Sequence, residues 1–160
     1  MSEYMKIKTV FEAKYLTCLA KALATLEPQW AGKVEVYEGQ GDLLKTYLAS
    51  DQRGLRANLI VRRQYVGGAS NDIGFAARPD GTVEAVIGDY DRGAGHYKDR
   101  HAKYGDAWLA SLTQHYQFAK LEAQAAEKGL DLVRTQNEDG SWRCKMTKKN
   151  RAAALAGRAW

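Results

Sequence analysis

The stretch that most constrains this fold is "DIGFAARPDGTVEAVIGDY", which begins at Asp72. Its two halves are rich in apolar and β-branched residues, and Pro79-Asp80-Gly81 lies between them. Proline presets φ for a turn and glycine supplies the positive φ that a tight reversal needs. The two halves must therefore run antiparallel and side by side, so at least part of the chain is an antiparallel sheet.

The segments on either side fill in the rest. "YMKIKTVF" alternates Tyr4, Lys6 and Lys8 with Met5, Ile7 and Thr9, the period of a half-buried strand. In "EAKYLTCLAKALATLEPQW", Leu16, Leu19, Ala20, Leu23 and Leu26 share one helical face, and Pro28 stops the run. "KVEVYEG" reads as a short strand closed by Gly39, "DLLKTYLAS" reads equally as a helical turn or a strand, and "RANLIVRR" reads as a further strand. A long helix is expected over about Asp106 to Lys128, with Leu109, Leu112, Tyr116, Ala119, Ala123 and Ala126 as its apolar stripe and Gly129 as its stop. A last hairpin, "LDLVRTQNEDGSWRCKMTKK", turns at Asp139-Gly140, with Trp142, Cys144 and Met146 facing one way and Arg143, Lys145 and Thr147 the other. The expected fold class is α+β, a mainly antiparallel sheet carrying two principal helices in the order β-α-β-β-β-β-α-β-β. Residues 1–147 are expected to form a single domain, followed by a basic tail, 148–160, that is a short helix or disordered.

A chain of 160 residues buries roughly 70% of its unfolded surface, so it needs no disulfide staple. Its two cysteines, Cys18 and Cys144, form no CxxC pair, which fits a reducing compartment. "MSEYMKIKTVF" lacks the apolar core of a signal peptide, and no run of eighteen apolar residues occurs. The expected location is the cytoplasm or its plastid equivalent, the stroma, with no membrane partner. The net charge of +5 is unevenly spread: from Arg143 onward there are six basic residues and no acid, whereas residues 1–142 carry 18 basic and 19 acidic side chains. A basic tail on a neutral body is a weaker sign of nucleic-acid binding than a basic folded face.

Several of these segments together carry a resemblance. The succession "KIKT", a Leu-rich helix, "YEGQ", "IVRR", "NDIGF" and "SLTQHYQFAKLEAQAAEKGLDLV", then "EDGSWRCKM", resembles the hypothetical chloroplast reading frame thirty-five family, a small family of unknown function from plastids, cyanobacteria, other bacteria and phages. The likeness runs over about residues 4 to 147, and its best signals are "DIGF" and the "QHYQF" helix. It implies a fold and brings no catalytic residue with it. The segment 41–56, the loop from Arg92 to Tyr104 and the tail after Lys149 depart from the family pattern.

Function is less constrained. In "DYDRGAGHYKDRHAKY", Asp89, Asp91, His96 and His101 have the chemistry of divalent-metal ligands, but the two histidines are five apart, a spacing that fixes no common helical face. The competing reading is a solvated connection in which "DYD" ends a strand and Gly93 and Gly95 permit a turn. There is no GxxxxGK[ST] phosphate loop, neither cysteine has a nucleophile's setting, and His115 lies at the edge of the helix stripe without a visible orienting partner. No cofactor is expected, and the balance leans away from an enzyme. Candidate partner- or anion-binding residues are Arg53, Arg56, Arg62, Arg63, Lys148, Lys149, Arg151 and Trp160. The leading expectation is a non-catalytic module that binds another macromolecule, with a protein partner first. A nucleic-acid-associated protein using the same arginines and the tail comes second, and a metal-dependent enzyme built on the Asp89 to His101 loop third.

Overall fold

The computed structural model describes residues 3–48, 54–98 and 103–148, without the side chain of His96. The hairpin is formed by β6 (Ile73–Ala77) and β7 (Thr82–Gly88), antiparallel, with Phe75 opposite Ala85. Gly81 takes φ 87° in the turn, and Asp80 Oδ1 accepts from both the backbone N–H (3.0 Å) and the hydroxyl (2.6 Å) of Thr82. Around this pair grows a five-stranded antiparallel sheet with β1 (Tyr4–Glu12), β5 (Leu59–Val61) and β2 (Val34–Val36), in the order β1-β7-β6-β5-β2. The fold class is α+β, with α1 (Leu16–Leu26) and α4 (Asp106–Glu127) as the two main helices.

Two compact units divide the chain, residues 1–116 and 117–160. The first holds the sheet, whose register puts Ile7, Phe75, Ala85, Ile87, Leu59 and Val61 on one face. That apolar face belongs to a core containing Leu19, Leu23, Phe11, Leu112 and Tyr116, all at most 1% exposed. Phe11 meets Tyr116 edge-on at 4.8 Å. The second face is covered by β3 (Asp42–Leu43) and β4 (Arg56–Ala57), which bring Leu44 and Ala57 onto Ile60 and Val86. Gly74 makes this approach possible, since a Cβ there would lie 2.7 Å from the Ala57 Cβ and 2.8 Å from Leu44 Cδ2. The second unit holds the end of α4 and a hairpin of β8 (Leu130–Gln136) and β9 (Trp142–Lys148).

Three expectations change and one open reading closes. "RANLIVRR" is two strands, because the buried Asn58 interrupts it: its side chain donates to the Tyr37 and Gly39 carbonyls, both at 3.0 Å, and accepts from Ala77 N–H at 2.9 Å. β4 then leaves the large sheet to pair with β3. "DLLKTYLAS" resolves at its start as a strand, β3. "DYD" does not end β7 but begins the single-turn α3 (Asp89–Arg92), terminated by Gly93 in the left-handed region. Along α4 the buried positions are Trp108, Leu112, Tyr116, Ala119 and Ala125, while Ala123 is half-buried and Ala126 exposed, so the stripe turns more than the apolar pattern implied. Among the described residues no helix is long and apolar enough to cross a membrane.

Candidate macromolecule-binding surface

A helix of four residues has no stability of its own, and α2 (Arg63–Val66) is therefore held by its surroundings. At its start, the Asp72 carboxylate accepts from Arg63 N–H through Oδ1 at 2.7 Å. At its end, two aromatic donors take the unpaired carbonyls: Trp30 Nε1 donates to Tyr65 O at 2.9 Å and the Tyr104 hydroxyl to Val66 O at 3.3 Å. Both ends of a helix need such partners. Trp30 and Tyr104 are fully buried, stack 5.8 Å apart, and each meets Trp108 edge-on, so α2 rests on a rigid aromatic floor. Burial, then the charges of Glu27 and Asp91, pushes the Tyr104 hydroxyl up to about 12, which keeps it a donor.

Three consecutive residues, Ser70, Asn71 and Asp72, all at most 3% exposed, organise the rest. The Ser70 hydroxyl donates to Asp91 at 2.6 Å, and the Ser70 carbonyl accepts from Arg63 Nε at 3.1 Å. Asn71 Oδ1 accepts from Tyr47 N–H at 2.8 Å. Asp72 Oδ2 accepts from Lys45 N–H at 2.7 Å and from Arg62 Nη1 at 2.9 Å, and its backbone N–H donates to Lys45 O. The segment running from β3 to Leu48 is thus fastened to the start of β6.

Arg62 lies at the centre of this network. Its guanidinium also meets Glu35 at 2.9 Å and Asp42 at 2.6 Å and donates to Leu43 O. Burial acts to lower its pKa, but the hydrogen bonds to Glu35, Tyr37, Asp72 and Asp42 outweigh burial and raise it. In return, the hydrogen bonds from Arg62 hold the Glu35 carboxyl below its ordinary range. The Leu43 N–H and then Arg62 do the same for Asp42. Burial, then the negative charges of Asp72 and Asp91, raises Tyr4 far above a normal phenol, and its hydroxyl bonds to Lys45 O.

What this scaffold presents outward is two cation–aromatic pairs. The Arg63 guanidinium bonds to the Ser70 and Gly68 carbonyls and lies 5.2 Å from the ring centre of Tyr47, which is 53% exposed. Two positions on, the exposed Tyr65 ring carries the Lys33 ammonium at 5.6 Å. Gln64 is exposed between them, and Leu48 is exposed beside Tyr47 in the chain. Tyrosine and arginine are the residue types that most often anchor macromolecular contacts.

The sequence candidates fare differently. Arg63 is on this surface. Arg62 is 9% exposed and bound to three carboxylates. Arg56 is exposed and bonds to Gly41 O. Lys148 ends β9 in the other unit. Arg53, Lys149, Arg151, Trp160 and His101 lie outside the described residues, as does the His96 side chain. Asp89 and Asp91 are not solvated: they are 8% and 0% exposed, with Asp89 accepting from Glu3 N–H at 2.9 Å. Among the described residues no three His, Cys, Asp or Glu side chains group as metal ligands. Tyr47, Tyr65 and Lys33 were not singled out in the sequence, because only the fold brings Tyr47 to Arg63 and Lys33 to Tyr65.

No curated protein and no solved structure matches the chain. A family model does, over residues 22–144, most of the chain, and it carries the description Protein of unknown function (DUF1257). The chain belongs to that family.

Proposed function

We propose that this protein is a non-catalytic binding module that contacts another protein through the Tyr47, Arg63, Tyr65 and Lys33 surface. The observation that carries the reading is the support given to a four-residue helix: α2 is capped at both ends by buried partners, while Gln64 and Tyr65 on it are exposed. Tyrosine has few rotamers to lose, and Arg63 is already held by the Ser70 and Gly68 carbonyls, so both lose little freedom on binding. A photo-crosslinking residue at Gln64 tests the reading. It is expected to form a covalent adduct to a protein in native extract, and the adduct is expected to vanish when Arg63→Glu is added. Adducts that persist with Arg63→Glu, or crosslinks that go only to nucleic acid, would defeat it.

The second reading, a nucleic-acid contact through Arg53, Arg56, Arg62, Arg63 and the basic tail, is weaker on this face because three carboxylates already neutralise Arg62. The third, a metal-dependent enzyme using the Asp89 to His101 loop, has less support still, since Asp89 and Asp91 are engaged by Glu3 N–H and Ser70. The finer kinship, to the chloroplast reading frame thirty-five group, and a location in the cytoplasm or plastid stroma belong to the same proposal.

A further inference from the structure

The five-stranded sheet carries a second surface, independent of α2. β1 is its end strand and pairs on one side, with β7. The Glu3 carbonyl accepts from Asp89 N–H at 2.7 Å, and from there the register runs from Tyr4 opposite Gly88 to Lys8 opposite Glu84. Antiparallel ladders bond at every second residue, so Met5 and Ile7 turn their backbone groups to β7 while Lys6 and Lys8 turn theirs outward. Among the described residues nothing accepts from those two outward N–H groups. The open edge stops at Glu12, whose N–H donates to the Tyr116 hydroxyl at 3.0 Å. The Lys6 and Lys8 side chains are exposed, and Glu84, the acid opposite Lys8, lies 3.5 Å from Arg78. Where β1 ends, Thr9, Val10, Phe11, Asp106, Leu109 and Ala110 line a groove of about 480 Å³, and Val10 is 59% exposed.

We infer that β1 receives an extended segment of a partner protein as a further antiparallel strand, with acidic side chains opposite Lys6 and Lys8 and apolar ones on the other face, beside Ile7 and the groove. Strand addition of this kind takes its affinity from main-chain bonds and its specificity from alternate side chains. Here the alternation is set by β1 itself: side chains directly opposite one another share a face, where opposite charges stabilise and like charges destabilise. The same rule disfavours a second copy of this chain. Antiparallel pairing of β1 with itself about Lys6, Ile7 or Lys8 would set Lys6 against Lys6, Lys6 against Lys8, or Lys8 against Lys8. Lysines on an edge strand block self-association, and these two also select for an acidic partner strand.

The test uses the full chain, amide hydrogen exchange and a synthetic peptide that alternates glutamate with valine. In the free chain the Lys6 and Lys8 amides are expected to exchange faster than the Ile7 amide, which faces β7. The peptide is expected to slow Lys6 and Lys8 and to leave Ile7 unchanged, while a peptide with lysine in place of glutamate slows neither. The Lys6→Glu, Lys8→Glu double variant, at exposed positions, is expected to bind the glutamate peptide about tenfold more weakly, from two charge pairs turned repulsive, and to accept the lysine peptide instead. Unchanged Ile7 exchange in the variant shows that β1 remains paired. Lys6 and Lys8 amides already protected in the free chain, no slowing by the glutamate peptide, or equal slowing by both peptides overturns the inference. So does protection that rises with the concentration of the chain alone, which would assign the edge to a second copy.

Discussion

Arg62 Nη1 lies 2.9 Å from Asp72 Oδ2, and that carboxylate has no exposure to solvent. The pair links β5 to β6 and, through the other bonds of each partner, fixes Lys45, Arg63 and Leu43. Removing Asp72 leaves Arg62 with Glu35 and Asp42 but takes the acceptor from the Lys45 and Arg63 N–H groups, at about 1–3 kcal/mol for each donor left unpaired. Asp72→Ala is therefore expected to lose about that much, with Asp72→Asn losing less because the amide still accepts a bond. Urea unfolding of the three proteins measures this, and an Asp72→Ala loss below about 1 kcal/mol, a net hydrogen bond's worth, contradicts it.

The acid sensitivity of the fold follows from the same guanidinium. Glu35 and Asp42 both have folded pKa values below their unfolded ones, of about 4, so on acidification the unfolded chain takes up protons first. Their contribution is complete above the unfolded value and is lost as the pH falls through the depressed folded values. Arg62→Met removes the cause of much of the depression. Urea midpoints between neutral and acid pH are expected to fall less steeply for the variant in the carboxylate range, and a slope equal to the wild type's would refute the assignment.

Gly74 is a close-packing position. Gly74→Ala forces its new methyl against Ala57 and Leu44, and overpacking of this kind costs about 1–3 kcal/mol. Combining it with Ala57→Gly removes one of the two clashes and is expected to recover part of the loss, which a double-mutant cycle of denaturation midpoints reads directly.

The floor beneath α2 makes its own prediction. Trp30→Phe keeps an aromatic ring but deletes the donor to Tyr65 O, leaving a carbonyl without that partner at a cost of about 1–3 kcal/mol. Amide exchange at Gly67, whose N–H closes the turn on Arg63 O, is expected to accelerate more than exchange in α1. Uniform acceleration across the first unit would mean that Trp30 supports the fold without specifically holding α2.

How much of this was legible in the sequence depends on the range of the forces involved. The Pro79-Asp80-Gly81 hairpin, the body of α1, the length of α4 and its stop at Gly129 are set within a few residues, by φ preferences and apolar spacing, and these could be read directly. Asn58 was invisible as a strand breaker, because its effect comes from carbonyls at Tyr37 and Gly39 and an amide at Ala77. Arg62 and Arg63 look alike in the sequence. One turns inward and the other outward because Glu35, Asp42 and Asp72 converge only in the folded sheet. "NDIGF" stood out as a resemblance, but its physical content, two buried polar acceptors, a core Ile, a missing Cβ and a core Phe, appears only once β3 and β4 cover the second face.

The most direct test of the binding surface is affinity capture from nuclease-treated native extract, with the wild type compared to an Arg63→Glu, Tyr65→Ala double variant of equal urea stability. A specific protein retained by the wild type and lost from the variant is the predicted result. Capture of the same proteins at the same yield by both would contradict the claim that α2 is held in place to meet a partner.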